Sequence, residues 1–197
     1  MLQDDQQLVQ DFLSGDDRAF EQLVKKYLSP LYNFIFLFTH DRNIAEDLVQ
    51  DTFIKVWRHI ARFDQKRSFK TWIFTIAKNT TFDSFKKKQS IPFSSFEDGE
   101  GKMTLEVIDE NVPLPDEILE KAEKTEDLDR ALEKVPELYR ALIVLAYRED
   151  FSLKEISEIL HEPYNTIKSR HQRALQLLKK AFLGANASEN GKESYNK

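Results

Sequence analysis

Between positions 45 and 60, Ala45, Leu48, Val49, Thr52, Phe53, Val56, Trp57 and Ile60 recur at intervals of three and four without a break. A strand, with its period of two, would scatter these side chains over both faces, whereas a helix gathers them on one. The segment is therefore predicted to be an amphipathic helix that buries this stripe against neighbours, with Asn43 and Glu46 as its N-terminal capping pair. The same period predicts helices over Asp5–Leu13, Arg18–Phe38 and Phe69–Lys88, with Ser14-Gly15-Asp16 as punctuation between the first two. Further along, helices are predicted over Asp116–Lys134, Pro136–Arg148, Ser152–Leu160 and Pro163–Leu183, the third opened by a Ser152-to-Glu155 capping box. The expected fold class is all-α: two small helical domains, an N-terminal bundle and a C-terminal helix-turn-helix domain.

Residues 91–115, IPFSSFEDGEGKMTLEVIDENVPLP, mix Pro, Gly, Ser and acids without a helical period, and are too long for an ordinary loop inside one domain. They are read as a flexible acidic linker. The expected boundaries are thus 1–90, 91–115 and 116–183, followed by a disordered polar tail over 184–197.

The net charge of −5 argues against a DNA-binding protein until it is divided by segment. Residues 1–90 carry 14 Lys+Arg against 12 Asp+Glu, residues 91–124 carry 3 against 10, and residues 125–197 carry 12 against 12. Within these, Thr52–Lys88 holds 10 basic and 2 acidic residues, and Pro163–Lys180 holds 5 basic residues and no acid. Two cationic stretches flank an acidic connector.

Several classes are excluded by what the residues can do. The chain has no cysteine, so it has no disulfide framework and no thiolate metal site. The longest apolar run, Leu31–Phe38, falls well short of the ~20 residues that span a bilayer. The N-terminus, MLQDDQQLVQ, is acidic where a signal peptide is basic, which leads to an expected cytoplasmic location without membrane insertion. His40, His59, His161 and His171 are scattered, and there is no Gly-rich phosphate loop or nucleophile elbow. Neither an enzyme nor a cofactor is expected.

Two constellations remain. Phe151–Lys180 reads as two short helices around a tight turn, the layout of a helix-turn-helix. Its second helix would present Tyr164, Asn165, Thr166, Lys168, Ser169, Arg170, Gln172 and Arg173, residue types that contact base edges and phosphates; the plainer reading is a solvated, mildly basic helix. Asp64–Lys88, with Phe63 just before it, interleaves Phe63, Phe69, Trp72, Phe74, Phe82 and Phe85 as possible stacking surfaces with cations, the combination that holds single-stranded DNA. Against this, Phe69, Trp72, Ile73 and Ile76 are spaced for core packing. The stripe helix leaves Glu46, Asp47, Gln50, Asp51, Lys55 and Arg58 on its outer side, a face suited equally to solvation and to a partner.

Taken in order, AEDLVQDTFIKVW (45–57), FKTWIFTIAKNTTFDSFKKK (69–88) and the helix-turn-helix resemble the core-polymerase-binding, −10 and −35 segments of bacterial extracytoplasmic-function sigma factors. The resemblance implies a transcription initiation factor that directs core RNA polymerase to promoter DNA. It implies contact with the polymerase β and β′ subunits at Asp47, Gln50, Asp51 and Phe53. It also implies a loop, Arg62, Phe63, Lys66, Arg67 and Ser68, that accepts a flipped base of the −10 element. Lys70, Lys78, Asn79, Asp83, Lys86, Lys87 and Lys88 would then line the opened or upstream DNA, and the polar residues of the last helix would read the −35 element. An anti-sigma factor, or an accessory partner that targets DNA, is a further implied partner. The chain departs from the family pattern at His161 and Asn165, where glycine is common, and lacks the usual glycine in Asp64–Arg67; His and Asn tolerate left-handed backbone, so the turn is expected to persist. An autonomous helix-turn-helix regulator is the competing reading, and it leaves 69–88 without a role.

Overall fold

The computed structural model describes residues 4–87 and 130–190. The connector 91–115, residues 116–129 of the predicted helix Asp116–Lys134, Lys88 and the last seven residues lie outside them. The described residues form the helices α1 (Asp5–Leu13), α2 (Asp17–Thr39), α3 (Arg42–His59), α4 (Phe69–Lys87), α5 (Glu137–Ile143, continued by a π turn over Val144–Arg148), α6 (Leu153–Leu160) and α7 (Tyr164–Asn190), and residues 130–133 are helical as well. No strand occurs among these residues. Helix α7 passes the expected end at Leu183 and runs to Asn190.

Local chemistry sets the ends of these helices. Gly15, at φ +103°, turns the chain between α1 and α2, a conformation in which a side chain would be strained. Asp16 then caps α2 by accepting from the Arg18 N–H at 3.0 Å. At the far end of α2, His40 adopts the left-handed conformation, and the next residue, Asp41, caps α3 by accepting from the Ile44 N–H at 3.0 Å. The cap of α3 is therefore Asp41 rather than the predicted Asn43. A carboxylate one residue outside the first turn reaches the free N–H groups, whereas Asn43 is already helical. Ser152 and Glu155 form the capping box predicted for α6, with each side chain accepting from the other's backbone N–H.

The bundle α1–α4 closes around residues with no exposed surface: Val9, Leu31, Phe34, Ile35, Ala45, Val56, Ile73, Phe74 and Ala77. The predicted stripe supplies α3's share of this core, except for Trp57, which is 49% exposed while its ring packs on Phe12 and Phe20. Threonines near the core in α3 and α4 turn inward at no hydrogen-bonding cost, since Thr52, Thr75, Thr80 and Thr81 each donate to the carbonyl four residues back.

The second helical group does not stand apart. Ala141, Leu142, Leu145, Phe151, Ile156, Ile159 and Ile167 belong to the same apolar cluster as the bundle, with α4 lying against α6 and α2 against α5. Phe74 is the joint: its ring centroid lies 5.5 Å from Phe34 on one side and 5.0 Å from Phe151 on the other. A smaller cluster, Ala131, Leu132, Val135, Ile143, Ala174, Leu178 and Phe182, ties α7 to α5.

Candidate polymerase and nucleic-acid interfaces

The outer face of α3 is a consequence of its buried stripe. With Leu48, Val49, Thr52 and Val56 turned inward, Glu46, Asp47, Gln50 and Asp51 stand in solvent, and Phe53 is 9% exposed beneath them. Ile54, 48% exposed, and Trp57 extend this face with apolar surface, which the sequence reading had not assigned to it. Lys55, expected on the outer side, instead turns toward α4 and donates to the Thr80 hydroxyl at 3.0 Å. The face is thus anionic at one end and apolar at the other, able to meet a cationic surface with an apolar socket.

The loop before α4 is built on aromatic rings. Phe63 is 7% exposed, with its ring 5.5 Å from Phe69 and 5.0 Å from Trp72. It forms the floor of the loop, not a free stacking surface. Above it Asp64 stands in for the missing glycine: its carboxylate accepts from the Lys66 N–H at 3.0 Å and its carbonyl from the Arg67 N–H at 2.9 Å. Arg62, Lys66, Arg67 and Ser68 remain exposed around this turn. Of the aromatics considered for stacking, Phe69, Phe74 and Phe82 are buried and Trp72 and Phe85 half-buried, so cations rather than rings dominate the surface.

Helix α4 divides its candidate residues between two environments. Asn79, Asp83 and Lys86 are exposed. Lys70 is covered by the second helical group, donating to the Glu149 carbonyl, 3.7 Å from the Glu149 carboxylate and 4.7 Å above the Phe151 ring. Lys78 is half-buried; burial, then the neighbouring Lys86, pull its pKa below the ordinary lysine value, against the opposing effect of Glu162 and Asp83. Lys87 lies in the last turn of α4.

In the helix-turn-helix, His161 ends α6 at φ 56° and ψ 40°, and the Glu162 N–H returns to the Ser157 carbonyl at 3.1 Å. The left-handed turn expected there is present without glycine. Asn165 needs no such tolerance, since it is already inside α7 and has no positive φ. Ile167 anchors α7 with no exposed surface, leaving Tyr164, Asn165, Lys168 and Ser169 exposed and Thr166, Gln172 and Arg173 half-exposed on its polar side. Arg170 is drawn inward to Glu162 at 3.2 Å. Tyr147 stacks on His171, with ring centroids 5.7 Å apart, and burial lowers the imidazole pKa.

These surfaces define a helical DNA-engaging factor with a helix-turn-helix and a second cationic element. Comparison with known proteins gives the family. The Sigma-70 region 2 model matches residues 23–91 and the Sigma-70 region 4 model residues 125–178. The chain is 33% identical to the ECF RNA polymerase sigma factor SigW of Bacillus subtilis over 168 residues, 84% of this chain and 90% of that one. It is also 33% identical to the RNA polymerase sigma-H factor of Pseudomonas aeruginosa, over 90% of this chain and 93% of that one. Among solved structures, CnrH in complex with the cytosolic domain of CnrY matches with a TM-score of 0.61 at 26% identity, covering 92% of this chain and 97% of that chain. The sigma factor RpoE of Bartonella quintana, in complex with the anti-sigma factor NepR, matches with a TM-score of 0.58 at 26% identity, covering 82% and 95%. The chain belongs to the extracytoplasmic-function sigma factors of the sigma-70 family.

Proposed function

We propose that the residues of this sigma factor divide the work of initiation as follows. The outer face of α3, Asp47, Gln50 and Asp51 with Phe53 beneath and Ile54 and Trp57 beside them, docks on core RNA polymerase. The turn Arg62–Ser68 holds a base flipped from the −10 element, and Asn79, Asp83, Lys86, Lys87 and Lys88, with Lys70 and Lys78, follow the opened strand. Tyr164, Asn165, Thr166, Lys168, Ser169, Gln172 and Arg173 read the −35 element, with Arg170 joining them if it leaves Glu162. Promoter opening then draws on binding energy, with no bond made or broken by the chain itself. The corresponding domains are 1–90 and 116–183, with 91–115 as tether, and the protein works in the cytoplasm, where promoters are.

The observation that carries this reading is the coincidence, in one chain and in family order, of an exposed anionic-apolar helix face, a cationic turn over buried rings, and a helix-turn-helix. Because the similar sigma factor RpoE is in complex with the anti-sigma factor NepR, an anti-sigma factor is proposed as a regulatory partner. Core polymerase mixed with the purified chain should yield promoter-specific run-off transcripts, and Asp51→Lys should abolish both association and transcripts. Binding to DNA with no effect on where polymerase starts would refute the assignment in favour of an autonomous regulator. For that alternative, no structural observation speaks.

A further inference from the structure

The turn of the helix-turn-helix carries an acid that reaches back to the recognition helix. Glu162 sits between His161, which ends α6 in the left-handed conformation, and Pro163, whose ring fixes φ just ahead of α7. The backbone here is pinned from both sides: the Glu162 N–H donates to the Ser157 carbonyl at 3.1 Å, and the Pro163 carbonyl accepts from the Ile167 N–H at 3.1 Å. From this fixed point the Glu162 carboxylate stands 3.2 Å from the Arg170 guanidinium, with the two side chains only 16% and 11% exposed. An ion pair so covered is screened little by salt, so it holds where a surface pair would not. Arg170 shares a row of α7 with Thr166, four residues before it, and Arg173, three after, both half-exposed on the polar side. Turned along that row, its guanidinium would join the cations of Lys168 and Arg173.

We propose that Glu162 sets the strength of −35 binding: it competes with a DNA phosphate for Arg170, so α7 meets the duplex with one cation fewer than its sequence carries. This rests on the reading of α7 as the −35 helix. A phosphate takes the guanidinium only by drawing it out of its covered pair, and a phosphate contact carries no base information. Glu162 therefore lowers affinity for every duplex alike. The choice of base stays with the exposed Tyr164, Asn165, Lys168 and Ser169.

The test uses the full chain and fluorescent duplexes of two unrelated mixed sequences, read by anisotropy over a salt series. Glu162→Gln keeps the side chain's size and an acceptor oxygen, so the turn keeps its packing while the charge is lost. Binding should tighten roughly three- to tenfold on both duplexes, and the slope of log affinity against log salt should steepen by about 0.9, the value of one added phosphate contact. Glu158→Gln removes the same charge from an exposed position on α6 and should change affinity by less than about twofold, with the slope unaltered. Adding Arg170→Gln to Glu162→Gln removes both members of the pair, so no lone charge is left covered. That double variant should return to the affinity and slope of the unaltered chain. A gain that survives Arg170→Gln, an unchanged slope in Glu162→Gln, or an equal gain from Glu158→Gln would each overturn the assignment. If Lys168→Gln with Arg173→Gln leaves duplex affinity unchanged, the −35 reading of α7 fails instead.

Discussion

Replacing Ser152 with alanine removes one hydroxyl, and the structure states what that hydroxyl does. It accepts from the Glu155 N–H at 3.3 Å and donates to the Glu155 carboxylate at 2.7 Å, while the same carboxylate accepts from the Ser152 N–H at 2.9 Å. Loss of an N-cap of this kind costs about 1 kcal/mol, within a range of about 0.5–2. In a chain that melts as one unit of this length, about 1 kcal/mol lowers Tm by ~2–4 °C, whereas a helix-turn-helix module melting alone would fall by ~4–8 °C. Because Phe74 joins the two groups through one apolar cluster, the smaller shift in a single transition is expected by differential scanning calorimetry. The pH dependence supplies a second check. Burial pushes the Glu155 carboxyl upward, but hydrogen bonds from the Ser152 hydroxyl and N–H and the Thr71 hydroxyl, with the Lys70 charge, outweigh it, so its folded pKa lies below the ordinary glutamate value. A depressed carboxylate pKa contributes stability above its unfolded pKa and loses it as pH falls through the folded value. The penalty of Ser152→Ala should therefore be full at pH 7 and shrink below about pH 4. A Tm unchanged at pH 7, or a penalty that grows in acid, would refute the reasoning.

Phe34→Ala deletes a ring with no exposed surface that packs on Phe38 and Phe74, and should cost about 3–5 kcal/mol in urea unfolding. Ile54→Glu acts on a half-exposed residue, so thermal stability should hold while affinity for core polymerase falls by about 10-fold to 100-fold, the equivalent of about 1.5–3 kcal/mol of lost apolar burial, measured by fluorescence anisotropy. Lys66→Gln with Arg67→Gln should weaken holoenzyme binding to a forked promoter and reduce the slope of log affinity against log salt by roughly 1.4, about 0.7 for each phosphate contact with a single strand.

The parts of this molecule that could be read from its sequence are those written in local spacing. The period of α3, the Ser152–Glu155 box and the left-handed turn at His161 each depend on residues within about one or two turns of each other. Trp57 shows where spacing stops informing: it falls on the stripe, yet near the helix end it packs tilted on Phe12 and edge-on against Phe20, and half of it reaches solvent. The Asp41 cap was missed because Asn43 offers an equally good pattern two residues later, and only the backbone path out of His40 decides between them. Least legible was the contact between modules. Lys70 and Glu149 are 79 residues apart, Thr71 and Glu155 84, His40 and Glu137 97, and no periodicity connects them.

That contact also changes how the charge of the chain is understood. Divided by segment, the charges suggested two cationic stretches free to meet DNA, with the net negative charge concentrated in the connector. In the folded chain, Glu149 takes Lys70 and Glu155 accepts from Thr71 across the contact, while Glu162 pairs with Arg170 inside the second module. With Lys70 and Arg170 so engaged, the cations left exposed for DNA are fewer than the sequence count, and non-specific affinity scales with the phosphates neutralised. The chain's most complete open surface is the anionic-apolar face of α3, which repels DNA and suits a protein partner. If that face is the docking surface, preincubation with core polymerase should give faster run-off transcription than preincubation with DNA, and equal rates from the two orders of addition would count against it.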